Sequence, residues 1–229
     1  FGGFTSLFDT SNGAQVQETM DRLTDRNARL QTAIEDLTDE IKAGKGSKSV
    51  SAYKEAYNHQ NEVNQNYLGM AQAQAGYHGS HHSWEYYFEG FTQEQISRLS
   101  RQMDKAWDGS LWSLTPEQMK LLRGNVDMWE QIRNTGKGGY GDRLIEKLNN
   151  YIAQAGKLET LTTQLYEGLT GMTFDSMYDS FVDTLLDMEA TTEDFADNIS
   201  EYFMRAMLSN KIGELYADKL EEWWNKFGK

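Results

Sequence analysis

The chain has 229 residues, a quarter of them charged, a net charge of −13 and no cysteine. That length allows one large domain or two small ones, and the lack of cysteine excludes disulfides and thiolate metal sites. Between Leu158 and Met204 there are eleven acids and no Lys or Arg, while the rest of the chain holds 24 acids against 22 bases. No basic cluster stands ready to neutralise phosphates, so direct nucleic-acid binding is not expected.

A single proline, Pro116, occurs where average usage would give roughly eleven. Val appears five times and Ile eight times, too few for strands that must fill a pleated, half-buried surface. The expected fold is all-α: an antiparallel coiled-coil hairpin followed by packed or extended helices, with no sheet. A hydrophobic fraction of 38% and a mean hydropathy of −0.71 suit the narrow buried stripes of such helices. No 18-residue apolar run exists to span a membrane. Phe1-Gly2-Gly3-Phe4 lacks the basic region of a signal peptide, and a first residue other than Met reads as a piece of a longer chain.

Residues 1–11 read as a linker, and residues 12–76 as an antiparallel helical hairpin. Val16, Met20, Leu23, Leu30, Ile34, Leu37 and Ile41 recur in alternating steps of four and three, with Asn27 falling on the seam. Asp21, Arg22, Arg26, Glu35 and Asp36 lie off it. A helix from Asn12 to Ala43 would be about 48 Å long, and Gly44 and Gly46 stop it. A second helix is expected from near Ser49 to about Ala75, with Val50, Tyr53, Tyr57, Tyr67 and Ala71 on one face. The connection is short, so the pair folds back antiparallel. A pivot near Gly46 sets Asn27 opposite Asn64-Gln65-Asn66, where an amide could fix the register; Asn27 and Asn64 are the candidates. A tolerated polar residue in a solvated seam is the plainer alternative.

From Gly76 to Gly90 the chain turns irregular and aromatic, which reads as a domain boundary. Residues 91–170 form the expected middle helical region. Thr92 caps a helix bearing Ile96, Leu99, Met103 and Trp107. In Leu114-Thr115-Pro116-Glu117-Gln118, Thr115 is the N-cap, Pro116 takes the first helical position and Gln118 completes a capping box. This helix is expected to continue through Met119, Leu122, Val126, Trp129 and Ile132. After a glycine-rich turn, one long helix is expected from Gly141 to about Leu169, with its seam at Leu144, Leu148, Tyr151, Ala155, Leu158, Thr162, Leu165 and Leu169. Residues 171–229 read as an acidic C-terminal helical module. Thr173 caps a helix with Met177, Phe181, Leu185 and Met188, and Thr192 caps the last, with Phe195, Ile199, Phe203, Tyr216, Leu220, Trp223 and Phe227.

Several groupings invite a chemical reading. Gly136-Lys137-Gly138-Gly139-Tyr140-Gly141 matches G-x-G-x-x-G. A dinucleotide site would need a strand before it and an acid on a second strand, and neither is present; the segment reads as a loop. His78, His81 and His82 are spaced closely enough to share a metal, yet Gly76 and Gly79 deny them a rigid helix, so a polar connector is expected and no metal site. His59, on the hairpin, is expected to face water. Asp175, Asp179, Asp183 and Asp187 stack at steps of four. They form a solvated face or a docking face for a basic protein; a straight row cannot wrap a calcium ion. Trp223, Trp224 and Phe227 pack internally or contact a partner, and a membrane helix would carry more basic residues. Met172, Met177, Met188, Met204 and Met207 read as core filler. Nothing gathers a base, a nucleophile and an oxyanion donor, so neither an enzyme nor a cofactor is expected.

The series Thr173-Phe174-Asp175-Ser176-Met177, Phe181-Val182-Asp183, Leu186-Asp187-Met188 and Thr192-Glu193-Asp194-Phe195-Ala196 resembles a module of phage tail tape measure proteins. Met204-Arg205-Ala206-Met207-Leu208-Ser209-Asn210-Lys211 and the segment from Leu215-Tyr216 to Phe227 continue the resemblance. The Gly44-Lys45-Gly46-Ser47-Lys48 turn and Leu114-Thr115-Pro116-Glu117-Gln118 are similar to the segments before that module. The resemblance implies a virion structural role in the tail lumen, with the host cytoplasm as the place of assembly. Such proteins set tail length by their own extent, nucleate the tail tube and leave ahead of the DNA. A terminal module of this kind would dock to tail-tip, tail-tube or assembly-chaperone proteins, and its coiled-coil seams could also self-associate. The alternatives are a helical adaptor for a basic protein and, further off, a cell-wall hydrolase domain of a tail protein.

Overall fold

The computed structural model describes residues 11–43 and 47–170, and among these every regular element is a helix. They are α1 Gly13–Lys42, α2 Ser47–Ala75, α3 Trp84–Tyr87, α4 Gln93–Gln102, a 3-10 turn at Leu111–Ser113, α5 Pro116–Gly124, α6 Val126–Asn134, α7 Tyr140–Ile152 and α8 Lys157–Thr170. Helices α1 and α2 pack against each other as a hairpin. Residues 44–46 of its turn and the whole of 171–229 lie outside the described residues.

Two compact units share these helices. The first combines residues 11–35 with 56–158, and the described residues of the second come from 36–55 and 159–170. The residues of the hairpin are divided between the two units. Within the first unit Ala71 and Ala75 of α2 join one apolar cluster with Leu99, Met119, Trp129 and Leu148 from the helices that follow. The segment expected to separate two domains supplies a pillar of that core. Trp84 is 2% exposed, its Nε1–H donates to the Ile132 carbonyl at 2.8 Å, and its ring stacks on Phe88. Burying a full indole there outweighs the irregular backbone around it. In the second unit Ile41, Ala52, Leu161 and Leu165 are buried, Ser49 Oγ donates to the Glu40 carbonyl, and Tyr53 and Thr162 share a hydroxyl bond at 3.0 Å.

On α1, Leu30 and Ile41 are buried and Val16, Met20, Leu23, Ile34 and Leu37 half-buried, while Asp21, Arg22, Arg26, Glu35 and Asp36 are exposed. The buried stripe of α2 includes Ala71 as expected but otherwise differs from the expected face. Ala52, Ala56, Gln60, Val63, Met70 and Gln74 face inward, while Val50, Tyr53, Tyr57 and Tyr67 are half-buried beside it. Small residues let helix backbones come close, and the half-buried tyrosines cover the flanks.

Three helices expected to be continuous are interrupted. Helix α4 ends at Gln102, short of Trp107. Asp104 takes φ 49°, Lys105 N–H donates to the Ser100 carbonyl and Asp104 N–H to the Arg101 carbonyl. This 6→1 and 5→2 pair is a Schellman ending with aspartate where glycine is usual. Trp107, now in the loop, is still buried. The capping box at Thr115 and Gln118 forms as expected, but the helix it starts breaks at Asn125, which is extended at ψ 90°. Its side chain donates to Gln102 Oε1 at 2.7 Å and to the Leu121 carbonyl. Val126, expected on the seam, is 70% exposed. The long helix after Gly141 divides into α7 and α8 at residues 153–156, where Gly156 has φ 81° and its N–H donates to Glu117 Oε1 at 3.0 Å.

The glycine motif is a turn. Gly136, Gly138 and Gly139 all have positive φ, a backbone open to glycine at little cost. Gly141 serves another purpose: an added Cβ would stand 1.9 Å from the Arg133 carbonyl oxygen, so its bare backbone lets α7 start against the end of α6. Helix α1 is tied at its start by Asn12. That side chain donates to the Gly76 carbonyl at 2.9 Å and accepts from His78 N–H at 2.9 Å, imitating a backbone amide.

Candidate functional site

Asn27 occupies an inward position on α1 because the spacing of the seam puts it there, and it is 3% exposed. Asn66 Nδ2 donates to its Oδ1 at 2.8 Å, while Asn27 Nδ2 is buried without a partner among the described residues. An unmatched buried amide N–H costs stability, so the pair is better suited to specifying alignment than to strengthening the hairpin. Next to it in sequence but off the seam, Arg26 meets Glu62 with two bonds, of 2.7 and 3.0 Å. The guanidinium bond holds the Glu62 carboxyl below the usual range, and the same bond pushes Arg26 up. Both side chains are well exposed, so salt screens the pair.

Asn64, expected to meet Asn27, belongs to a different contact. Gln60 Nε2 donates to Asn64 Oδ1 at 2.9 Å and to Gln154 Oε1 at 3.3 Å, and all three are buried. The reason is geometric: residues 64 and 66 are two apart on a helix and point about 200° away from each other. Asn66 therefore faces α1, and Asn64 faces the link between α7 and α8. The other expected contact residues, Asp175, Asp179, Asp183, Asp187, Trp223, Trp224 and Phe227, lie outside the described residues.

The histidine segment forms a shallow concavity of about 490 Å³ with Ser80, Ser83, Tyr86 and Tyr87. His81 and His82 are exposed and His78 half-buried; His82 stacks on Tyr86 with ring centres 4.0 Å apart. Among the described residues no three His, Asp or Glu side chains are placed to hold a metal ion. His59 is half-buried, less open than its expected place in water. Beside the concavity, Arg143 lies over the rings of both Tyr77 and Tyr140, and Tyr140 Oη accepts from Gly79 N–H at 2.9 Å.

The shifted ionisable groups are structural in character. Burial, with Glu117 nearby, pushes the Tyr151 phenol up to about 12, and its hydroxyl donates to the Leu114 carbonyl at 2.9 Å. It is a fixed donor, not a base. Bonds from Ser110 N–H and the Ser113 hydroxyl hold the exposed Asp108 carboxyl below the usual range in a loop. Asp127 is held low chiefly by Arg98 at 2.5 Å. No described helix is long and apolar enough to cross a membrane. Comparison with protein-family models, curated proteins and solved structures finds no match.

Sequence reasoning set the stretch 64–66 opposite Asn27 but singled out Asn64 where Asn66 makes the bond, and it did not anticipate Gln60 and Gln154 as paired amides. Their signal was the inward phase of α2, which the tyrosines obscured.

Proposed function

We propose that this chain is a non-enzymatic structural part of a phage tail tape measure protein, docking to tail-tip, tail-tube or assembly-chaperone proteins. The observation that carries the reading is the ordered series of capping and apolar motifs from Thr173 to Phe227 that resembles the module of that family. The helical build supports it: α1 has 30 residues, about 45 Å of helix at 1.5 Å per residue, and a seam specified by polar pairs is what a mechanical spacer needs. Its place would be the tail lumen, after assembly in the host cytoplasm. The test is capture of tail proteins encoded beside it by the tagged full chain. Recovery of a tail-tip, tube or chaperone protein supports the reading, and failure to retain any of them overturns the docking role.

A second reading rests on charge. Eleven acids without a single Lys or Arg lie between Leu158 and Met204, which favours a helical adaptor that binds a basic protein. Capture of a basic protein unrelated to tails would favour this reading. The two are also separated by salt, because binding through those acids would weaken steeply from low to high ionic strength.

A further inference from the structure

In the first unit a groove of about 290 Å³ opens between α2, the 3-10 turn and the start of α5. Leu68, Pro116 and Leu158 give it apolar walls, and Trp112 stands at its side. Leu111 is buried beneath the turn and Trp112 N–H is bonded to Ser110 Oγ, so the turn is anchored while the indole remains half-buried.

We infer that this groove binds a neutral saccharide. Buried polar groups next to it are already matched: Gln60 with Asn64 and Tyr151 with the Leu114 carbonyl. Asn61, Gln65 and Trp112 line the groove, and among the described residues their side-chain amides and indole N–H have no hydrogen-bond partner. Each amide offers a donor pair and an acceptor, and the indole one donor. Glu117 is the one charged residue of the lining, and it already accepts from Gly156 N–H. An ionic ligand would therefore meet little to neutralise it. A sugar ring fits this chemistry, since its C–H face covers an indole and leucine while its hydroxyls or acetamido group exchange bonds with amides. Short length disfavours a peptide, which binds through a sheet edge or a long helical groove. The inference does not depend on the proposed role in a tail.

The test is a titration of the full isotopically labelled chain with the N-acetylglucosamine trisaccharide, followed by side-chain amide and indole resonances. The expected result is saturable shifts of Asn61, Gln65 and Trp112 with a dissociation constant on the order of 1 mM, weakened at least about tenfold by Trp112→Ala. Gln65→Ala is the second variant, because Gln65 is exposed and its removal leaves the core untouched; it too should weaken binding. Absence of shifts up to about ten times that concentration, shifts located elsewhere, or equal binding by the Gln65→Ala chain would overturn the inference. So would binding of an uncharged blocked tripeptide in the groove with no response to the sugar.

Discussion

In its part of the first unit, α1 buries Asn27 and Leu30 while Val16, Met20 and Leu23 stay half-covered. Helix α7, in the same unit, buries seven of its thirteen residues. The first is positioned by a narrow stripe with an amide pair in it, the second by filling volume against Trp84, Trp129 and Met128. A stripe that narrow supplies little transfer free energy per turn, so alignment has to come from polar pairing. A dense core aligns itself, because a shift of one residue would leave holes and clashes.

The largest effect expected from breaking this contrast is on the dense side. Trp84→Ala removes a buried indole and leaves the Ile132 carbonyl with only the long bond from Thr135 N–H, and should cost about 4 kcal/mol in urea unfolding. Gly141→Ala drives a methyl group into the Arg133 carbonyl and should cost about 3 kcal/mol; near-normal stability would mean that α6 and α7 separate easily. On the sparse side the sign reverses. Asn27→Leu removes the unmatched amide and should gain about 1 kcal/mol, while sedimentation reveals mixed association states as register control is lost. A destabilised but uniquely paired hairpin would refute the role assigned to Asn27.

Much of the helical build was legible because seam spacing and caps are local. Thr92 and Thr115 each sit three residues before a glutamine, and both boxes form. What sequence could not give were the breaks. At Asn125 and at 153–156 the apolar period runs on through the interruption, so spacing predicts a single helix. The interruption is set by long-range partners instead: Gln102 for Asn125 and Glu117 for Gly156. The expected α2 face held at Ala71 but was otherwise misplaced, because tyrosines weigh heavily in an apolar pattern, whereas Ala52, Ala56, Val63 and Met70 are the residues buried. For the site, the seam predicted that Asn27 would face the 64–66 stretch, yet which amide it meets depends on a helical phase that the same misreading shifted.

The smallest expected effect is electrostatic. The Asp127 carboxyl is held low chiefly by the bond from Arg98, so the pair adds stability above the ordinary carboxylate value of about 4 and loses it as pH falls through the depressed folded value. Asp127 is 52% exposed, and solvent screening limits the gain to well under about 1 kcal/mol. Arg98→Met should therefore lower the urea midpoint slightly at pH 7 and leave it unchanged in strong acid. An equal deficit at both would assign the effect to packing.

The hydrogen bonds that close the hairpin span very different lengths of chain: 9 residues for Ser49 with Glu40, 39 for Asn66 with Asn27, and 66 for His78 with Asn12. Closing a long loop is entropically dearer than extending a short one. The hairpin should accordingly zip from its turn and fasten at Asn12 last, and unzip in the opposite order. Deuterium should then enter the His78 amide through small fraying excursions, long before it reaches the amides around Leu30. Asn12 would act as the final catch of the zipper, governing how often its open end is released.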